Sequence, residues 1–146
     1  MWSDSVLSAE RAHLLRLAIW GAASMLVGTT LVLAIMRRTP RPQLLWHFAV
    51  QTTAWGAVDL ALVGAWWNTI EPRDLSEYWG MRQWLWLNLG LDVGYAGVGI
   101  TLAACGWGLG RRLGLVGAGL GVLVQGLALV VLDAFLLVVL NRLQVA

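Results

Sequence analysis

Residues 43–70 form an apolar stretch long enough to cross a lipid bilayer as one helix, yet they include Gln51 and Asp59. About 20 residues of helix span the hydrocarbon core of a bilayer. A carboxylate at that depth is costly unless it faces a protein interior or a water-filled cavity. The stretch therefore predicts a bundle in which neighbouring helices shelter Asp59 from lipid.

Four apolar runs of this kind follow one another along the 146 residues, at about 14–36, 44–67, 79–109 and 113–141. Hydrophobic residues make up 59% of the chain and charged residues 12%, whereas soluble domains average roughly 45–50% and about 25%. We predict a single domain (residues 1–146) of the all-α integral membrane class. Its expected architecture is a four-helix transmembrane bundle with up-down-up-down topology.

The connections between the runs carry helix-breaking and helix-starting signals. Pro40 and Pro42 end the first helix, because proline cannot continue the backbone hydrogen-bond pattern. Asp74 and Glu77 have the spacing of a capping box and predict the start of the third helix. Most of the ten tryptophans lie near the ends of the runs, as expected for an aromatic belt at the lipid headgroups.

The distribution of arginine predicts an orientation. The first and third connections contain arginine and no acidic residue, whereas the second mixes both charges. By the positive-inside rule the two basic connections are cytoplasmic, so both termini lie outside. We therefore expect a protein of the bacterial inner membrane with the N and C termini outside.

A shift of 74 residues aligns the two halves of the chain at several polar positions. Gln51 then falls on Gln125, and Asp59 falls on Asp133. The pattern is that of a two-hairpin internal repeat, an arrangement that some transporters use. Apolar sequences also match by chance, so duplication and coincidence both stay open.

Three aspartates on three different helices are expected to lie in one layer of the bilayer. Counting 1.5 Å of helix per residue places Asp59 and Asp133 each roughly 12 Å below the outer surface. The same count places Asp92 roughly 16 Å below it. The sequence therefore predicts an acidic site formed by Asp59, Asp92 and Asp133.

Further polar residues are expected around this layer. Asn88 and Tyr95 share one face of the third helix with Asp92, because they lie four residues before and three residues after it. Arg16 is the basic residue nearest the predicted level and could pair with the carboxylates. Gln51 and Gln125 are expected to form an inner polar layer about 12 Å further into the bilayer.

Two functions are compatible with such a site. Three ionised aspartates cannot share a dry site without taking up a proton or a cation, and ionisable residues inside a membrane often mark transport pathways. The first hypothesis is a small membrane protein that binds or transports a proton or cation. The alternative is a non-catalytic accessory or scaffold subunit of a larger membrane complex, in which the same residues only hold helices together.

Other classes of function find little support in the sequence. It contains no nucleophile elbow, phosphate-binding loop or Cys/His metal spacing, so the prediction leans against an enzyme. No cofactor is predicted apart from a bound cation, and the identity of any metal stays unknown. The arginines are spread along the chain, so nucleic acid is not an expected partner.

The expected partners are the lipid bilayer and other helices. Gly90 and Gly94 form a face of small residues on the third helix, and Gly117 and Gly121 form another on the fourth. Such faces let a second backbone come close in a membrane. We therefore expect a homo-oligomer or a place in a larger membrane complex.

Overall fold

A computed structural model describes residues 2–144, which form four helices and no strand. The helices are α1 (Trp2–Met36), α2 (Gln43–Trp66), α3 (Leu75–Gly108) and α4 (Leu113–Gln144). Each of them is long and apolar enough to cross a membrane. The predicted all-α membrane bundle of four helices is therefore confirmed.

Three of the helices extend beyond the apolar runs from which they were predicted. The 35 residues of α1 correspond to roughly 52 Å of helix, compared with about 30 Å of hydrocarbon core. The start of α3 is fixed by the predicted capping box. The Glu77 backbone N–H donates to Asp74 Oδ1 at 2.8 Å, and the Asp74 N–H donates to Glu77 Oε2 at 3.0 Å.

The N-terminal parts of α1 and α3 pack with the C-terminal part of α4 at one end of the bundle. Their buried side chains form a hydrophobic cluster, and the Tyr78 hydroxyl within it donates to the Leu140 carbonyl at 3.1 Å. This cluster holds the three helices in register just beyond the segments that carry Asp92 and Asp133. Its buried members are Val6, Tyr78, Leu85, Leu136, Leu137 and Leu140.

The helices pack as two hairpins, α1 with α2 and α3 with α4, joined mainly through the contact of α4 with α2. Across the described residues, no Cα atom of α2 lies within 8 Å of a Cα atom of α3. Because α4 stands between the hairpins on one side only, a cleft remains open between α2 and α3. The bundle is thus closed on the α4 side and open on the other.

Glycines allow close backbone contact within each hairpin. A Cβ atom added to Gly99 of α3 would lie 2.7 Å from the Gly119 carbonyl oxygen of α4. In the first hairpin, a Cβ atom on Gly21 would lie 3.0 Å from the Gly56 carbonyl oxygen. Neither pair leaves room for a larger residue, so each hairpin is tightly joined.

The two predicted faces of small residues have different surroundings. Gly117 and Gly121 pack inside the chain against Leu44 and Gln51 of α2. Added Cβ atoms on Gly90 and Gly94 would meet no described atom within 4 Å. The face on α4 is therefore used within the bundle, whereas the face on α3 is open.

Candidate functional site

A cavity of about 550 Å³ occupies the cleft between α2 and α3. Asp59, Asp92 and Asp133 all line it, although their residues are only 1%, 5% and 7% exposed. The structure therefore brings the three predicted aspartates into one pocket and shelters them from lipid. The cavity walls are largely apolar and include Trp55, Leu62, Trp66, Trp84, Leu91 and Leu129.

Asp92 of α3 and Asp133 of α4 form a carboxyl pair, with their side chains within hydrogen-bonding reach of one another. The His13 ring of α1 approaches the pair, with Nε2 3.4 Å from Asp133 Oδ1. Asp92 Oδ2 is buried and has no hydrogen-bond partner among the described residues. Asp92 therefore brings a buried carboxylate oxygen without a donor to the lining of the cavity.

Asp59 of α2 has different partners. Gln125 of α4 donates its side-chain amide to both carboxylate oxygens of Asp59, at 2.9 and 2.8 Å. Trp20 of α1 donates its indole N–H to the Gln125 side-chain oxygen at 2.9 Å. This chain of hydrogen bonds ties three helices together and satisfies the Asp59 carboxylate.

The contact between Gln125 and Asp59 corrects the predicted separation of polar layers. The sequence count placed Gln125 about 12 Å below the aspartates, because it treated all helices as equally deep. The structure places the Gln125 amide at the level of Asp59 instead. Gln51 is half-buried, packs against Gly121 and does not line the cavity.

The structure does not bring the Arg16 guanidinium to the aspartates. The Arg16 guanidinium lies over the Phe135 ring, 4.5 Å from its centroid, and the described residues include no ion pair between it and an aspartate. Positions 133 and 135 are about 200° apart around α4. Arg16 therefore lies along a different side of α4 from Asp133.

Asn88 and Tyr95 line the cavity wall, as their shared face with Asp92 predicts, but both are exposed. The Tyr95 ring meets the Trp55 ring of α2 edge to face, with centroids 5.3 Å apart. This contact bridges the cleft between α2 and α3 near one end of the cavity. The structure assigns neither residue a hydrogen bond to an aspartate.

An ion pair lies at the end of the cavity near the connection between α2 and α3. Arg73 Nε donates to Glu10 Oε1 at 2.7 Å, and Arg73 Nη2 donates to Glu10 Oε2 at 3.1 Å. This hydrogen bonding to Glu10 raises the pKa of Arg73 above its usual value. Arg73 therefore stays charged, and with Ile70 it covers this end of the pocket.

Sequence reasoning missed His13, Glu10, Arg73 and Trp20 as parts of the site. The sequence of α1 carried a signal for His13 and Glu10. Five buried residues on one face of α1 recur at steps of seven, four, three and four positions. They are Glu10, Leu17, Gly21, Ser24 and Gly28. That stripe shows that the inward face of α1 continues past the apolar run as far as Glu10. Arg73 and Trp20 are placed by tertiary contacts that no local pattern reveals.

The contact between Asp92 and Asp133 is that of two hydrogen-bonding carboxyl groups. Among the residues that the structure describes, no three His, Cys, Asp or Glu side chains are placed to hold one metal. Two carboxyl groups in hydrogen-bonding contact need a proton between them, because an ionised carboxylate can only accept. The arrangement is thus suited to holding and exchanging a proton.

Comparison with known proteins places the chain in a family without an assigned activity. No curated protein and no solved structure matches it. A family match covers residues 16–134, which include all three aspartates and Gln125 and begin after Glu10 and His13. Because this match spans most of the 146 residues, the chain belongs to the family of unknown function DUF6992.

Proposed function

We propose that this chain is a proton-binding membrane protein and that the Asp92–Asp133 pair takes up and releases the proton in a transport function. We also propose a bacterial inner membrane as its location, with both termini outside, an orientation that the arginine distribution favours. The observation that carries the proposal is the carboxyl pair itself. The pair is buried where α3 contacts α4, and it lines the cavity.

The chemistry of the pair supports proton binding. Two ionised carboxylates this close repel one another and are poorly solvated, whereas one shared proton makes the contact a favourable hydrogen bond. The pair then carries a single negative charge. Release of the proton would be costly unless a cation or a second donor arrived.

His13 supplies a group that can exchange the proton with the outer end of the cavity. Its ring lies 3.4 Å from Asp133, and a neutral imidazole has one nitrogen that donates and one that accepts, so it can relay a proton. Glu10 lies three residues earlier on α1 and also lines the cavity. The polar groups therefore form a row from the covered end of the pocket to the carboxyl pair.

Asp59 has a different part in this proposal. Both of its oxygens accept hydrogen bonds from Gln125, so it has no need of a proton to be satisfied. We assign Asp59 to holding α2 against α4.

Infrared difference spectroscopy of the protein in lipid nanodiscs tests the shared proton. We expect a carbonyl stretch of a protonated carboxylic acid at neutral pH, and its loss in both Asp92→Asn and Asp133→Asn. In either variant the new amide donates to the remaining carboxylate, so no proton is required. Glu71→Gln removes an exposed acid outside the cavity and should leave the band unchanged.

The proposal fails if the wild-type protein shows no protonated carboxylic acid at neutral pH. It also fails if the band survives in both asparagine variants. Asp59→Asn separates the roles, because loss of the band in that variant alone would assign the proton to Asp59.

A second candidate function is that of a scaffold, which the open face of α3 favours. Added Cβ atoms on Gly90, Gly94 and Gly97 would meet nothing, so another membrane helix could approach there. In this alternative the chain docks onto a second copy or a larger complex through α3. Native mass spectrometry of wild type and Gly94→Leu tests it, since loss of a stoichiometric partner in the variant alone would support docking.

A further inference from the structure

We propose that the cavity is a binding site for a lipophilic primary amine, which enters from the bilayer between α2 and α3 and donates its ammonium N–H groups to Asp92. This inference rests on the proposed function, since it uses the same carboxyl pair. It adds the chemical class of ligand and its route.

The cleft gives the cavity an opening toward lipid. The backbones of α2 and α3 do not approach one another, and the residues that face each other across the gap are large and apolar. Trp66 and Leu62 of α2 and Trp84 and Leu91 of α3 line the cavity and are also exposed. An alkyl chain can lie between such walls without leaving an apolar environment.

The inner end of the cavity provides one specific acceptor. Asp92 is 5% exposed and its Oδ2 has no partner among the described residues, whereas both oxygens of Asp59 are engaged by Gln125. A buried charged acceptor without a donor is strongly unfavourable. The geometry therefore selects a ligand that brings an N–H donor to Asp92.

Charge specifies the ligand further. With one shared proton the Asp92–Asp133 pair carries one negative charge, which a single ammonium group neutralises. Trp55 and Tyr95 at the cavity wall present aromatic rings, which attract cations. A neutral alcohol would lack the charge, and a quaternary ammonium would lack the N–H donor.

The size of the cavity fits this class of molecule. Its volume of about 550 Å³ lies within the roughly 300–1,000 Å³ typical of small-molecule sites. The carboxyl pair, together with the apolar wall formed by Leu62, Trp66, Trp84 and Leu91, matches a molecule with one amine and one alkyl chain.

Binding of radiolabelled dodecylamine to the protein in phosphatidylcholine nanodiscs tests the proposal, with signal from empty discs subtracted. We expect saturable binding that unlabelled dodecylamine displaces. Dodecanol and dodecyltrimethylammonium should each displace it at least about tenfold less well, because one charged hydrogen bond corresponds to roughly that factor or more.

Two variants address the two parts of the site. Asp92→Asn removes the charged acceptor and should weaken binding about tenfold or more, while Glu71→Gln should leave it unchanged. Leu62→Trp fills the cleft without touching the carboxyl pair and should also weaken binding. Its matched control is Leu26→Trp, because Leu26 of α1 is exposed and lies outside the cavity lining.

Thermal unfolding of each variant shows whether it is folded. Leu62→Trp provides a second test of the binding site in a variant that keeps all of the carboxylates. Equal displacement by dodecanol, or full binding in both Asp92→Asn and Leu62→Trp, would overturn the proposal. Absence of saturable binding while the infrared band of the shared proton persists would refute the amine site alone. Absence of that band in wild type would instead refute the proposed function.

A lipid headgroup could supply the same chemistry. Discs that contain phosphatidylethanolamine test this source, because its headgroup carries a primary ammonium. Competition with dodecylamine in these discs would identify the lipid as an occupant. Unchanged dodecylamine binding would point to a free amine.

Discussion

The hydrogen bonds of Gln125 allow a quantitative test of how the bundle is held together. Gln125→Leu removes the two bonds donated to Asp59 and the one accepted from Trp20, all between 2.8 and 2.9 Å. Leucine fits a buried position of similar size, so the main effect is loss of hydrogen bonding. Asp59, at 1% exposure, would be left as a buried carboxylate without a donor.

The expected loss of stability is about 2–4 kcal/mol. Hydrogen bonds to charged groups contribute about 1.5–3 kcal/mol in soluble proteins, while single bonds between membrane helices average about 0.6 and reach about 1.7 kcal/mol. Three bonds at the membrane values give roughly 2–5 kcal/mol at most. The Trp20 bond is between neutral groups and belongs at the low end of that range.

A double-mutant cycle with Asp59→Asn isolates the contribution of the charge. In the Asp59→Asn background, Gln125→Leu leaves a neutral amide unpaired and should cost only about 1 kcal/mol. The coupling free energy between the two positions is therefore expected to be about 1–3 kcal/mol. Reversible unfolding by sodium dodecyl sulfate in mixed micelles, followed by circular dichroism, measures each free energy.

Equal costs of Gln125→Leu in both backgrounds, within about 0.5 kcal/mol, would refute the reasoning. That result would mean that the Gln125 amide does not bond to the Asp59 carboxylate in the membrane. Gln51→Leu provides a control, because Gln51 does not line the cavity and should show no coupling to Asp59.

Two further predictions concern packing and the covered end of the cavity. Gly99→Val should destabilise the protein by about 1–3 kcal/mol through overpacking against α4. Gly94→Val should have little effect on unfolding of the single chain, because a Cβ atom at Gly94 meets nothing. Equal melting temperatures of the two variants would contradict this packing. Arg73→Met should cost about 1–3 kcal/mol because it leaves the buried Glu10 carboxylate without its donor, and adding Glu10→Gln should restore part of the loss. Hydrogen bonding to Glu10 raises the pKa of Arg73 above its usual value, so the stability due to its charge is fully present at any pH below the pKa of a free arginine. The cost of Arg73→Met should therefore not change with pH between neutral and mildly alkaline solution, and a steep loss in that window would contradict the assignment.

The fold was predictable because it depends on the length and polarity of segments. Four apolar runs with short connections leave few alternatives to a helical membrane bundle. The capping box at Asp74 was predictable because it depends only on two residues three positions apart. The predicted helix ends were less accurate, because α1 and α4 continue beyond the apolar runs, where Val6 and Leu143 find packing partners.

The candidate site was predictable only in part. The gathering of Asp59, Asp92 and Asp133 follows from the cost of exposing carboxylates to lipid, which applies to each residue separately. The partners of each carboxylate depend on the vertical offset and rotation of the helices, which one sequence does not contain. That is why Gln125 was assigned to the wrong layer, and why Arg16 was expected where His13 lies.

The close glycine contacts within the two hairpins affect how the site could change. Gly21 with Gly56, and Gly99 with Gly119, join their helices backbone to backbone, so the two helices of each hairpin cannot separate without opening that contact. Asp92 and Asp133 lie on the two helices of one hairpin, so packing within that hairpin fixes their spacing. His13 lies on the other hairpin, so its contact with Asp133 depends on how α1 packs against α4. A change in packing between the hairpins would therefore act on the His13–Asp133 contact and leave the carboxyl pair intact.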